Sequence, residues 1–159
     1  MVIKGRIGVA ILVALLIVPS IESRAADTWQ EDFRRCLVRK QFPAGVIVLS
    51  AGERDVELDI QWTDGKDLND IGETELSVQI DGTALPRPRV LKSDAGLIYG
   101  YSLGSMRAVL PALSRGRRLR VSLADDPERS VNLDIGGGKK AVAFLKKCDA
   151  YWTNWRRTH

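Results

Sequence analysis

Apolar and polar residues alternate in short runs through the middle of the chain. Val56, Leu58, Ile60 and Trp62 interleave with Glu57, Asp59 and Gln61, and Leu76, Val78 and Ile80 with Glu75, Ser77 and Gln79. Leu119, Val121 and Leu123 interleave with Arg118, Arg120 and Ser122. Val131, Leu133 and Ile135 interleave with Ser130, Asn132 and Asp134. Residues 46–49 form a short apolar run, and Leu97, Tyr99, Tyr101 and Leu103 fall on one face of a further strand. A period of two gives each strand one buried and one wet face, the pattern of an antiparallel sheet. Asp64-Gly65, Asp81-Gly82 and Ala95-Gly96 punctuate the runs. Asp81-Gly82 suits a tight hairpin turn.

The period changes to that of a helix at both ends. In residues 27–41, Trp29, Phe33, Cys36 and Leu37 share one helical face, and Thr28 and Glu31 have capping-box spacing. Near the C-terminus, Ala141, Leu145, Cys148, Trp152 and Trp155 step by four and three, which predicts a helix over residues 139–157. A short helix is expected after Ser105, with Met106, Val109, Leu110 and Leu113 on one face and Pro111 as a defect. The expected fold class is α+β: an antiparallel, β-sandwich-like sheet with an N-terminal and a C-terminal helix joined by a disulfide.

The cysteines enter through the compartment. Lys4 and Arg6 precede an uncharged apolar run at residues 7–18, and Ser23-Arg24-Ala25 offers small residues for cleavage after Ala25. Residues 1–25 therefore read as a signal peptide, and 26–159 as a single globular domain. The apolar run is shorter than the about 20 residues of a spanning helix, so no transmembrane span is expected after cleavage. The export route implies a periplasmic or secreted protein. An even pair of cysteines in an oxidising compartment reads as a disulfide, here Cys36 with Cys148. Cleavage removes three basic residues and one acid, which brings the formal charge of +4 closer to neutral.

Composition narrows the chemistry. The only histidine is His159, the last residue, so imidazole-based catalysis and zinc sites have no material. No catalytic residue, metal or cofactor is expected. Gly136-Gly137-Gly138-Lys139-Lys140 precedes a helix but lacks the P-loop spacing. Arg115, Arg117, Arg118 and Arg120, with Lys139 and Lys140, are the densest basic positions of the mature chain. They suit an acidic surface, either a glycan or an anionic lipid, or else serve as charge guarding a strand edge. Nucleic acid is not an expected partner of an exported, nearly neutral chain. The acids from Asp55 to Glu75 read mainly as the solvated face of strands and a loop; as paired carboxylates they would suit a hydrolase, the third-ranked function.

The segment from Tyr101-Ser102-Leu103 through Met106-Arg107-Ala108-Val109-Leu110 and Gly116-Arg117-Arg118-Leu119-Arg120-Val121 to residues 131–148 resembles the invasion-associated locus B family of small exported bacterial proteins. A similar closing segment with a late cysteine occurs in periplasmic accessory proteins of type VI secretion. The resemblance covers about the last 60 residues and carries over no functional residue. It implies a β-sandwich-like protein without known catalysis, associated with the bacterial envelope and host contact. The leading expectation is thus an exported, non-enzymatic binding protein, virulence-associated. The alternative is a periplasmic accessory or inhibitor module of a secretion system that recognises another protein.

Overall fold

Where alternation is strict, the strands form as expected. The computed structural model describes residues 28–52 and 54–158; residues 1–25, expected to be a signal peptide, and His159 lie outside the described residues. Strand β3 (Gly45–Ala51) contains the short apolar run, and β4 (Asp55–Trp62), β5 (Leu76–Ile80), β9 (Arg118–Leu123) and β10 (Val131–Asp134) coincide with the alternating runs. Along β4 the residues Val56, Leu58, Ile60 and Trp62 are buried, while Asp55, Glu57 and Asp59 are half-buried on the opposite face.

The first helical expectation is overturned. Residues 27–41 contain β1 (Gln30–Asp32) and most of β2 (Leu37–Phe42), paired antiparallel. Between them the chain turns: the Arg35 N–H donates to Asp32 Oδ1 at 3.2 Å, and Cys36 takes a left-handed φ of 51°. A non-glycine residue in that region ends a right-handed helix. Tertiary pairing outweighs the helical spacing, because β2 lies along the whole of the apolar strand β3, from Leu37 opposite Ser50 to Phe42 opposite Gly45. Cys36 therefore sits in a turn and not on a helix.

All strands are antiparallel and fall into two sheets. One has the order β1-β2-β3-β4-β8-β7, where β8 is Ile98–Ser105 and β7 is Arg89–Lys92. The other has the order β10-β9-β5-β6, where β6 is Thr83–Ala84. A short α1 (Leu68–Ile71) follows β4, and its buried Leu68 anchors the acidic segment between β4 and β5. In β8 only part of the expected face is inside. Tyr101 and Leu103 are buried, but Leu97 and Tyr99 are exposed, beyond a register shift in the pairing with β7.

Two longer helices complete the core. Helix α2 (Met106–Arg115) buries Val109, Leu110 and Leu113 and accommodates Pro111 without breaking. Helix α3 (Gly138–Thr158) buries Ala141, Val142, Phe144, Leu145 and Cys148. These residues join the inner faces of both sheets in one apolar cluster. Gly138 lets α3 start against the end of α2, and Gly116 lets the end of α2 approach β5. A Cβ on Gly138 would strike the Leu113 carbonyl, and one on Gly116 would strike Ile80. One buried hydroxyl ties the sheets together: Tyr101 Oη on β8 accepts the Thr74 N–H at 3.2 Å and donates to the Thr74 carbonyl at 3.0 Å, just before β5.

Candidate functional site

The cysteines come from opposite ends of the described chain. Cys36 is 3% exposed in the turn before β2, and Cys148 is fully buried in the middle of α3. Their sulfurs are in contact. Burial pushes the Cys148 thiol up to about 12, and the neighbouring Cys36 sulfur adds to the rise. A thiol held protonated is a poor nucleophile and a poor metal ligand.

Around the pair, the turn after β1 and one side of α3 build an aromatic surface with lysines. The Phe33 ring packs edge-on to Phe144 at a centroid distance of 6.3 Å and to Tyr151 at 5.6 Å. The Lys147 ammonium lies 5.7 Å from the Phe33 centroid. Phe33, Tyr151 and Trp155 each leave about half of their surface in water. A shallow cavity of about 510 Å³ runs beside Phe33, lined also by Glu31, Lys140, Ala143, Phe144 and Lys147. The apolar stripe of the last helix is therefore core only as far as Cys148; Trp155 is outside, and the Trp152 side chain lies outside the described residues. Phe33 was legible only as a helix-face residue, since its partners on α3 come from the far end of the sequence.

The basic positions are partly gathered. Arg115 ends α2, Arg117 follows, and the Arg117 carbonyl accepts the Ile135 N–H at 2.7 Å. The turn ahead of Lys139 and Lys140 is thereby brought beside Arg117 and the end of α2. Arg118 and Arg120 point outward from β9, which lies between β10 and β5. The strand-edge reading of these arginines is thus corrected: β9 is an interior strand. Asp134 stands directly across from Arg118, and Asn132 and Gln79 flank Arg120. The Asp81 carboxylate accepts the backbone N–H groups of Arg117 and Arg118 at 2.8–3.1 Å. Acids placed at these positions offset part of the positive charge.

The carboxylates are held by neighbours. Asp55 Oδ2 accepts Arg89 Nη2 and Ser102 Oγ, each at 2.6 Å. Glu57 accepts Ser50 Oγ at 3.2 Å. Burial raises the Glu57 and Asp59 carboxyls above their ordinary range. Asp64 is held down to about 2 by its hydrogen bond with Arg129, whose guanidinium also reaches Asp126 and stacks over Trp62. Asp67 and Asp70 cap one another around α1 through backbone N–H bonds of 3.0 and 3.2 Å.

Among the described residues, no group of three His, Cys, Asp or Glu is placed to hold a metal ion, and no helix is long and apolar enough to cross a membrane. No protein-family model, curated protein or solved structure matches the chain significantly.

Proposed function

We propose that the chain is an exported, non-catalytic binding protein of the bacterial envelope, acting in the periplasm or outside the cell. The carrying observation is the contact between the buried sulfurs of Cys36 and Cys148, from elements far apart in sequence. Such a pair suits a structural disulfide, and structural disulfides persist in oxidising compartments. The sequence signals for cleavage after Ala25 support the same route.

A binding role is supported by the half-exposed rings of Phe33 and Tyr151, packed edge-on beside Lys147, since exposed aromatic groups are enriched at recognition surfaces. The partner is a protein or an acidic surface. The resemblance to invasion-associated locus B proteins favours a virulence role.

Expression of the full chain in a Gram-negative host, followed by fractionation, tests this reading. Mass spectrometry should recover a chain that starts at Ala26, and non-reducing peptide mapping should recover Cys36 linked to Cys148. An uncleaved cytoplasmic chain with two alkylatable thiols after unfolding would overturn it.

A further inference from the structure

The hairpin of β5 and β6 closes only part of the β5 edge. Ladder parity assigns each backbone group on that strand. Glu75 accepts the N–H of Ala124, and Asp81 donates to Arg118, so the odd-numbered residues bond toward β9. The even-numbered ones face the other way. Val78 accepts the Leu85 N–H at 2.8 Å, and Thr74 has both of its backbone groups on the Tyr101 hydroxyl. Leu76 lies between them and has no hydrogen bond on that side among the described residues. By the same register its partner would be Arg87, but Arg87 is set between Pro86 and Pro88, and the chain leaves the sheet there.

The gap opens into a cleft of about 470 Å³. One wall is Glu73, Thr74 and Leu76; the other is Arg87, Val90 and Lys92. The far wall belongs to β7, whose second edge carries no strand among the described residues. Two ion pairs cross the cleft, Lys92 with Glu73 at 2.6 Å and Arg87 with Glu75 at 3.4 Å, all four side chains well exposed. Thr74 is 5% exposed, and its Oγ1 has no hydrogen-bond partner.

We propose that this cleft binds an extended peptide segment of a partner protein, added as a strand at Leu76. The proposal rests on the binding-protein reading and names its ligand class. A peptide backbone carries the complement of what is unmet: a carbonyl for the Leu76 N–H, an N–H for the Leu76 carbonyl, and either group for the Thr74 hydroxyl. Main-chain pairing of this kind gives affinity, while the flanking pockets select side chains. Pro88 and Val90 offer apolar contact. Glu73 and Glu75 on one wall and Arg87 and Lys92 on the other favour a segment with charges of both signs. The exposed ion pairs part at small cost, because solvent-exposed pairs add little to stability.

The test uses the mature, folded chain and a phage-displayed library of random linear heptapeptides. Enriched peptides, made synthetically, should slow hydrogen exchange at the Leu76 amide at least about tenfold, as a new main-chain bond requires. Thr74→Val should weaken their binding by roughly three- to tenfold, the equivalent of one neutral hydrogen bond. Val90→Trp, which fills the cleft, should abolish binding with the circular dichroism spectrum unchanged. Failure to enrich any peptide would overturn the proposal, as would peptides that leave Leu76 exchange unaltered. Protection of Leu76 that grows with protein concentration alone would assign the edge to a second copy and also overturn it. Peptide binding by a chain found cytoplasmic and reduced would sink the export reading and leave the cleft standing.

Discussion

The two halves of α3 carry one continuous apolar stripe and meet opposite fates. In the first half Ala141, Leu145 and Cys148 are at most 3% exposed and pack into the shared core. In the second half Tyr151 and Trp155 are about half exposed, although they follow at the same helical spacing. The difference is what lies opposite. The first half faces α2 and strands β2 and β3, while Tyr151 has the ring of Phe33 beside it. Periodicity reports which side of a helix is apolar, and only the surroundings decide whether that side is core or contact surface.

Substitutions along the stripe, and at Phe33 opposite it, break this contrast in order of size. Leu145→Ala should destabilise the protein by about 2–5 kcal/mol, because it leaves a cavity among buried neighbours. Urea denaturation checks it; a loss under 1 kcal/mol would place Leu145 in a loosely packed region. Cys148→Ala should cost about 2–5 kcal/mol relative to the oxidised chain, the usual range for a lost disulfide. Equal stability of the oxidised and reduced parent would show that the sulfurs touch without cross-linking. Phe33→Ala should cost about 1 kcal/mol, in keeping with two edge-on ring contacts of roughly 0.5–1.5 kcal/mol made at an exposed site. Trp155→Ser should stay within about 0.5 kcal/mol of the parent, as surface changes do.

A pH series on the reduced chain sharpens the same boundary. The Cys148 thiol is raised from its ordinary 9.0 to about 12. Its neutral form is thus favoured in the folded state. The contribution to stability is complete below pH 9 and fades as pH climbs toward 12. At pH 8, iodoacetamide should label Cys148 only when the chain unfolds. Labelling at the rate of a free exposed thiol would mean that α3 detaches at its midpoint.

Much of the fold was legible because the strands with an apolar face obey a strict period of two. Val56 to Trp62 and Leu119 to Leu123 show their buried side in every second residue. The N-terminal hairpin was not legible. Lys40 is an inward position of β2, 2% exposed, with its ammonium 6.0 Å from the Trp29 centroid, and a cation there disguises the alternation. Trp29, Phe33, Cys36 and Leu37 meanwhile imitate a helical face. The basic cluster could be read as chemistry, but the place of Arg118 and Arg120 inside a sheet depends on pairing with Asp134 and Asn132. The cleft beside Leu76 was invisible, because its unmet polar groups are the backbone of an apolar residue and a lone threonine hydroxyl that no motif marks.

The nearness of Cys36 to Cys148 also has a mechanical meaning. With the two sulfurs bonded, tension applied at the chain ends runs from the turn before β2 straight into the middle of α3. Apart from β1, the strands of both sheets lie outside that line of force. A pull could peel away β1 at one end and the second half of α3 at the other, and then it would meet a covalent stop. The parts that yield first would include Phe33, Tyr151 and Trp155, so the stretched protein would surrender its aromatic face while its core stayed shut.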